Sequence, residues 1–241
     1  MSAVTERSAA GPGWRLDQVS SAGRENLDPV HVDRYDAIED AAGPAEVALL
    51  QGLGLTRDAV VVDVGTGTGQ FALAVAPHCA RVVAVDVSPP MLAALQTKLD
   101  VAGVGNVEVK HAGFLDYEHA GPAADVVYSR YALHHVPDFW KGVALARLHS
   151  ALRPGGLLRL WDVVYAFEPG DAEARLEAWC ATGGPADAGG WSRADYEEHV
   201  RDEHSTYTWI LEALAERAGF VIEQAEYSSD GIFAKYVLRR P

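Results

Sequence analysis

The sequence contains little cysteine and no long apolar run. Its only cysteines are Cys79 and Cys180, and two thiols do not make the disulfide framework that small secreted domains use. Nowhere do about 18 apolar residues follow one another, the length at which a membrane-spanning helix is expected. Residues 1–13 also lack the apolar stretch of a signal peptide. We therefore expect a soluble, cytoplasmic protein with no membrane partner.

Basic residues are scarce relative to acidic ones. Lys and Arg total 20 against 34 Asp and Glu, which gives a formal charge of −14, and no cluster of basic residues occurs. Because nucleic-acid phosphates are bound mainly by Lys and Arg, we expect no nucleic-acid partner. The 241 residues are 49% hydrophobic and 22% charged, which is ordinary globular composition and favours one large domain. The oligomeric state carries no signal in the sequence.

The most informative segment is an apolar run followed by alternating glycines. Residues 59–64 include Asp63 and lead into Gly65, Gly67 and Gly69, where the backbone can turn sharply and approach a ligand closely. Residues 70–76 have a helical pattern, so the turn opens a helix whose free N–H groups favour an anionic ligand group. A second apolar run, residues 81–86, ends at Asp86. An acid at this point, about 20 residues beyond the first glycine, accepts hydrogen bonds from ribose hydroxyls in nucleotide-binding α/β folds.

Strand and helix patterns alternate through the middle of the chain. Strands are predicted at residues 59–64, 81–86, 106–111, 124–130 and 157–164, and helices at residues 70–76, 89–102 and 138–152. Such alternation indicates a parallel sheet with right-handed crossovers. Residues 207–218 form a further predicted helix, and residues 220–227 and 232–238 a closing hairpin. In the helix at 138–152, the spacing of Phe139, Val143, Ala146 and Leu152 predicts that these side chains face the core.

The order of these motifs resembles the class I S-adenosyl-L-methionine (SAM)-dependent methyltransferases over roughly residues 45–239. Residues 63–69 match the family's acid-and-glycine motif, and the Leu-His-His sequence at 133–135 is similar to the small-molecule branch that includes ubiquinone and menaquinone biosynthesis methyltransferases. The resemblance implies an α/β fold, Rossmann-like and doubly wound, with a mostly parallel seven-stranded sheet and an antiparallel C-terminal edge strand. Residues 1–44 would form a mobile tail and a helical cap, residues 45–241 the SAM-binding domain, and residues 167–206 a lid or substrate-binding insertion.

The resemblance also implies a set of cofactor residues, for SAM and its product S-adenosyl-L-homocysteine (SAH). They are Tyr35, Asp63, Gly65, Thr66, Gly67, Gly69, Asp86, Val87, Met91, Gly113, Phe114, Leu115, Ser129 and Arg130. Gly113 departs from the family, which usually has an acid there that holds the adenine amino group. Adenine recognition would then rest on backbone groups at Phe114 and Leu115 and on apolar stacking. For Tyr35 the alternative is packing within the cap, and for Arg130 a surface salt bridge.

Two adjacent histidines, His134 and His135, follow the fourth strand at the edge where open α/β sheets bind ligands. Histidine has a suitable pKa for a general base toward a hydroxyl acceptor, and we favour His134 over His135, with a structural or cofactor-contacting role as the alternative. An apolar acceptor pocket could be lined by aromatic side chains, although each of the tryptophans has core or lid packing as the alternative. The candidates are Tyr131, Trp140, Trp161 and Trp191.

No metal site is expected. His199 and His204 lie near Glu197, Glu198, Asp202 and Glu203, but the mixed spacing is typical of the polar face of a helix and no His-Glu-x-x-His pattern occurs. The sequence favours a SAM-dependent methyltransferase of a small molecule, with O-methylation ahead of C- or N-methylation. Two alternatives stay open: SAM binding without methyl transfer, and a nicotinamide-dependent oxidoreductase, because residues 67–72 satisfy a loose dinucleotide pattern.

Overall fold

A computed structural model describes residues 12–23, 25–185 and 190–241, so most of the predicted tail lies outside the described residues. Five parallel strands form the body of the sheet in the spatial order β3-β2-β1-β4-β5, which confirms the predicted α/β fold. They are β1 (Val60–Val64), β2 (Arg81–Asp86), β3 (Val107–His111), β4 (Ala124–Arg130) and β5 (Leu152–Tyr165). Every residue of β1 is buried, which explains its run of valines, since helices cover both faces of a parallel sheet.

The sheet continues beyond β5 with an antiparallel strand that is not at the edge. β7 (Val221–Tyr227) and β8 (Phe233–Arg239) form the predicted hairpin. β8 lies between β5 and β7 and is antiparallel to both, so β7 is the edge strand. β6 (Thr206–Tyr207) adds an eighth strand beside the end of β5. This addition is possible because β5 extends past its last pairing with β4, at Trp161, as far as Tyr165.

Helices cover the sheet, and several begin or end at recognisable caps. Ser88 caps α4, with its Oγ accepting from the N–H of Met91 at 3.3 Å, and Ser192 and Asp195 form a capping box at the start of α7. The helices are α1 (Pro29–Ile38), α2 (Gly43–Gly52), α3 (Gln70–Val75), α4 (Pro89–Ala102), α5 (Asp138–Ala151), α6 (Ala172–Cys180), α7 (Arg193–Asp202) and α8 (Thr208–Arg217). In the described part of the chain, no helix is long and apolar enough to cross a membrane.

The buried face of α5 differs from the predicted one. Phe139 and Val143 are exposed, by 74% and 36%, and the buried face instead carries Ala144, Leu145 and Leu148. The prediction was wrong for Phe139, Val143 and Ala146, although Leu152 is buried. The helix has two apolar stripes, and periodicity does not say which one meets the sheet. Lys141 is also buried on this helix. Its burial is tolerated because its ammonium donates to Asp138 Oδ1 at 2.8 Å and to the carbonyl of His204.

The core consists of two apolar layers, one on each face of the sheet. A buried ion pair ties the N-terminal α2 to β5: Arg159 Nε and Nη2 lie 2.8 and 2.9 Å from the carboxylate oxygens of Glu46. A third apolar cluster, which includes Tyr165, Phe167 and Trp179, joins the segment at 167–206 to the extended end of β5. That segment contains α6 and α7, which place side chains next to the carboxyl end of β4.

Candidate cofactor and acceptor site

The three loop glycines serve different purposes, although all have left-handed backbone angles (φ of +76° at Gly65, +55° at Gly67 and +82° at Gly69). A β-carbon on Gly65 would collide with Ala132, and one on Gly69 would collide with Leu95. At Gly67 the nearest atom to such a carbon would be Tyr35 Cε1, 3.7 Å away. Packing therefore requires Gly65 and Gly69, whereas a β-carbon on Gly67 would make only ordinary contact with the Tyr35 ring.

Asp86 joins the second strand to this loop. Its Oδ2 accepts from the N–H of Gly67 at 2.8 Å, and its Oδ1 accepts from the N–H of Ser88 at 2.8 Å. Burial raises the pKa of Asp86 against the effect of these donated hydrogen bonds. The carboxylate is thus fixed at the tip of β2, beside Gly67, as a ribose-binding role requires.

A cleft lies at the carboxyl ends of β1, β2 and β4, and the space of this cavity together with the solvent at its mouth is about 630 Å³. Predicted cofactor residues that line it are Tyr35, Gly65, Gly67, Asp86, Val87, Met91, Gly113, Phe114 and Arg130. Asp63 and Thr66 line an adjoining, smaller cavity. Gly69, Leu115 and Ser129 lie outside both linings. Gly69 packs on Leu95, Leu115 is engaged through its backbone, and Ser129 is fully buried in β4.

Asp63 lies at the bottom of the loop and is buried, with 2% of its surface exposed. Its Oδ2 accepts a hydrogen bond of 2.6 Å from the hydroxyl of Thr66. Burial, together with the neighbouring charge of Asp86, raises the pKa of Asp63 to about 7, and the Thr66 hydroxyl only partly offsets this. A cationic group near Asp63 would favour its ionised form.

Gln18 occupies the place of the missing acid at position 113. A β-carbon on Gly113 would lie 2.5 Å from Gln18 Oε1 and 2.6 Å from Val87 Cγ1. The Gln18 amide accepts from the N–H of Leu115 at 3.0 Å and donates to Asp116 Oδ1 at 3.1 Å, while Asp116 also accepts from the N–H of Gly113 at 2.6 Å. The N–H of Leu115 is therefore already bonded within the protein, and adenine recognition by backbone groups at Phe114 and Leu115 stays a prediction. Gln18 lines the cavity and was not predicted as a site residue.

Of the predicted acceptor aromatics, only Tyr131 lines the cavities. Its φ is +49°, a conformation that costs energy in a non-glycine residue and often marks a functional site. Trp161 lies behind it, with ring centroids 5.6 Å apart, and carries the guanidinium of Arg130 4.2 Å above its own ring. The bend at Tyr131 therefore directs this side chain into the cavity at the point where β4 ends.

Trp140 and Trp191 pack on the N-terminal segment instead. Trp140 stacks on Trp14, with centroids 6.2 Å apart, and Trp191 Nε1 donates to Glu39 Oε1 at 2.6 Å. Trp191 belongs to the segment at 167–206, so its hydrogen bond links that segment to the cap. Neither tryptophan belongs to the linings of the two cavities.

The two adjacent histidines have opposite environments. His135 lines the cofactor cavity, whereas His134 is buried with Nδ1 bonded to Asp162 and Nε2 3.0 Å from Glu203 Oε2. Burial opposes protonation of His134, but the two carboxylates outweigh it and raise its pKa to about 10. Burial and the charge of His134 lower the pKa of His135 to about 3. His134 is therefore the charged member of the pair and His135 the neutral one.

Glu203 and His199 reach this pair from the end of α7. His199 Nδ1 lies 2.5 Å from Glu203 Oε2, and its Nε2 lies 2.9 Å from the hydroxyl of Ser205. Although burial opposes ionisation, hydrogen bonds from His134 and His199 hold the pKa of Glu203 below its usual range. Asp162 and Glu203 were not predicted as site residues. One feature of the sequence could have indicated Asp162, because it is a carboxylate inside a strand that is mostly apolar.

The fold and the site define a Rossmann-like nucleotide-binding protein with its ligand cavity at the strand ends. Residues 61–156 match the family model described as "Methyltransferase domain". The matched residues include the glycine loop and Asp86, so this part of the chain is similar to the methyltransferase domain in the residues that the sequence motifs singled out. The family's cofactor is S-adenosyl-L-methionine, as the motifs predicted.

Curated relatives are similar over parts of their length. An uncharacterized methyltransferase of Mycobacterium tuberculosis is 36% identical over 124 residues, 52% of this chain and 55% of the relative, so the chain matches about half of that protein. A 27-O-demethylrifamycin SV methyltransferase of Amycolatopsis mediterranei is 29% identical (48% and 43% covered). A demethylmenaquinone methyltransferase of Thermus thermophilus is 34% identical (45% and 47% covered).

Solved structures agree on the fold. Magnesium protoporphyrin IX methyltransferase from Synechocystis with bound SAM matches with a TM-score of 0.65 at 17% identity, over 95% of this chain and 100% of that one. A [4+2]-cyclase matches with a TM-score of 0.62 at 17% identity, over 82% and 80%. At these identities the likeness shows the fold alone, and the cyclase illustrates that one fold carries different reactions.

Proposed function

We propose that this protein transfers the methyl group of SAM to a small-molecule metabolite, with oxygen favoured over carbon or nitrogen as the acceptor. One observation carries the proposal: a single cavity joins Gly67 and Asp86 to Tyr131 and His135. A nucleoside held at one end of this cavity would have its reacting group near the other. Because a methyl group on a sulfonium is already activated, positioning supplies much of the rate.

The lining supports one orientation of the cofactor. Asp86 would accept hydrogen bonds from the ribose hydroxyls, while Val87, Met91 and Phe114 provide the apolar contacts that suit adenine. Arg130, near Tyr35 and the loop, would lie by the amino-acid part, whose carboxylate suits a guanidinium. Asp63 is the nearby carboxylate that suits the cofactor's ammonium group.

The acceptor would lie beside His135 and Tyr131. His135 is the catalytic residue in this proposal because it is the one of the two histidines that lines the cavity, and its ring is neutral there. As the methyl group leaves sulfur and bonds to the acceptor oxygen, the hydroxyl proton would pass through His135 to water and SAH would be released. Because the pKa of His135 is lowered to about 3, the ring does not keep the proton. His134 would be a positioning residue, since Asp162 and Glu203 hold both its ring nitrogens.

The segments around the cavity would select the acceptor. We propose that the described part of the N-terminal cap covers the cofactor, through Gln18 and Tyr35, and that the described residues of the segment at 167–206 act as a lid. The bond between Trp191 and Glu39 would hold the two together. Trp140 and Trp161 would support this enclosure from behind. The names of the rifamycin and demethylmenaquinone relatives support a small-molecule acceptor, and the charge of −14 supports a role without nucleic acid. A cytoplasmic location is part of the proposal.

Calorimetric titration with SAM and with SAH tests the first step, and we expect binding of both. The second step uses SAM labelled in the methyl group with a metabolite extract, in which we expect SAH formation and a labelled small molecule. Label in the protein or nucleic-acid fraction would contradict the acceptor class. Binding without SAH formation would support a use of SAM without methyl transfer, and binding of NADH alone would overturn the proposal.

A further inference from the structure

Three side chains from two distant parts of the chain meet at the acceptor end of the cavity. His134 and His135 follow β4, and Glu203 follows α7. One nitrogen of each histidine and a carboxylate oxygen of Glu203 all lie within 4.8 Å of one another. We propose that His134, His135 and Glu203 bind a divalent first-row transition-metal ion.

The donor set suits an ion of this kind. Two imidazoles and one carboxylate are typical ligands of Zn²⁺ and Fe²⁺ and leave coordination positions open, whereas Mg²⁺ and Ca²⁺ prefer oxygen ligands. His134 Nε2 and Glu203 Oε2 are 3.0 Å apart, a separation that two neighbouring ligands of one ion can have, since each metal–ligand bond is about 2.1 Å long.

The groups around these three residues hold them as metal ligands are held. Asp162 bonds to Nδ1 of His134 and thereby directs Nε2 toward Glu203, an arrangement that recurs where a carboxylate orients a metal-binding histidine. His199 plays a similar part at Glu203, and Ser205 in turn bonds to His199. Each of these outer groups fixes a ring or carboxylate orientation that an ion requires.

His135 supplies the remaining observation. Its Nδ1 is buried, has no hydrogen-bond partner among the described residues, and lies 3.8 Å from Glu203 Oε1, too far for a hydrogen bond. A buried polar atom without a partner is costly, and coordination to an ion would satisfy it. Hydrogen bonds alone account for His134 and His199 but leave His135 unexplained.

An ion at this position would lie next to the acceptor. Since His135 lines the cofactor cavity, the open coordination positions would lie beside the acceptor and could take a hydroxyl or enol oxygen. The ion would then lower the pKa of that oxygen, in place of a free His135 imidazole. This use rests on the proposed methyl transfer, whereas metal binding itself does not.

The test uses the full-length protein after removal of metal with a chelator. Co²⁺ is added as a spectroscopic probe of the site, and Zn²⁺, Fe²⁺ without oxygen, and Mg²⁺ are titrated by calorimetry. We expect one Co²⁺ per chain with visible absorption bands, displacement by Zn²⁺ or Fe²⁺, and no competition from Mg²⁺. His135→Gln and Glu203→Gln should each weaken binding by at least about tenfold, and Asp162→Asn by about 10- to 100-fold.

His204→Gln is the matched control, because its ring lies outside the cluster although it is next to Glu203 in the chain. SAH binding by each variant verifies that the fold is intact. Absence of Co²⁺ and Zn²⁺ uptake by protein that still binds SAH would overturn the metal site and leave methyl transfer untouched. Equal metal affinity in the wild type, His135→Gln and Glu203→Gln would overturn it as well, since the ion would then bind elsewhere.

Discussion

The side-chain oxygen of Gln18 lies 2.5 Å from the position that a β-carbon on Gly113 would take. The N-terminal cap and the loop after β3 are therefore matched in shape, because the Gln18 side chain fills the space that a side chain at Gly113 would need. Because Gln18 also bonds to the N–H of Leu115 at 3.0 Å, it holds the loop that borders the adenine end of the cavity.

Gly113→Ala should weaken SAH binding by about tenfold or more, because the added methyl group meets both Gln18 and Val87. Gln18→Ala removes one of these contacts, so the double variant should bind SAH more tightly than the sum of the two single effects predicts, with a coupling of about 1 kcal/mol. Calorimetry with SAH measures this cycle. Gly105→Ala is the control, since a β-carbon there meets nothing within 4 Å. Additive effects would mean that Gln18 and Gly113 do not share the space.

Asp86→Ala should lower SAH affinity by about 10- to 100-fold. The change removes the proposed ribose contact and leaves the N–H groups of Gly67 and Ser88, both 2.8 Å from the carboxylate, without their charged acceptor. Asp86→Asn keeps one acceptor oxygen and should lose less. As a control, Asp125→Ala removes a carboxylate that accepts from the N–H of Val60 at 2.8 Å, at the opposite end of β1, and should leave SAH affinity unchanged. Wild-type affinity in Asp86→Ala would contradict the cofactor orientation.

These two sites show what could be predicted from the sequence and what could not. Asp86 and the glycines lie in one short stretch whose residue types are set by local backbone geometry, so the strand, the turn and the acid could be predicted together. Gln18 lies 97 residues from Leu115, and no local pattern indicates that they meet. The same holds for Glu203, which reaches His134 only because α6 and α7 pack on the extended β5.

The sequence also left open which way side chains point from an element that it predicts correctly. The prediction of helix α5 was correct, but Phe139 is 74% exposed, because two apolar stripes compete and tertiary packing selects one. The aromatic candidates for the acceptor pocket show the same limit. Their size predicts a large contact area, but only the fold shows that Tyr131 enters the cavity and that Trp161 lies behind it. In the histidine pair, His134 was favoured as the base, and the geometry favours His135 because it alone of the two lines the cavity.

Asp63→Asn should change how stability depends on pH. The folded-state pKa of Asp63 is raised from 3.8 to about 7, so the folded protein holds this proton more tightly than the unfolded chain. The resulting stabilisation is complete below about pH 4 and is lost as pH rises toward 7. Relative to Asp63→Asn, the wild type should therefore lose about 2 to 3 kcal/mol of unfolding free energy between about pH 5 and pH 8. Urea unfolding without cofactor measures this; parallel pH curves would contradict the raised pKa.

Glu46→Ala should destabilise the protein by about 3 to 5 kcal/mol. Arg159 is 3% exposed, and loss of its bidentate partner would leave a buried guanidinium without a counter-charge. Replacement of both residues, as Glu46→Leu with Arg159→Met, should recover most of the loss. Urea unfolding compares the variants. Glu177→Ala, which breaks an exposed pair with Arg193, is the control and should produce no measurable change. A small effect of Glu46→Ala would mean that water reaches Arg159.

His135→Gln should reduce turnover far more than cofactor binding. The ring lines the acceptor end of the cavity, whereas Asp86 and the glycine loop hold the nucleoside, so SAH affinity should stay within about threefold of the wild type. The rate of SAH formation should fall by about 100-fold or more, the usual contribution of a group that takes a proton from the acceptor. His119→Gln is the matched control, since that ring bonds to the carbonyl of Pro122 and the hydroxyl of Tyr117 away from the cavity. Unchanged turnover in His135→Gln, or an equal loss of SAH affinity, would show that His135 does not act on the acceptor.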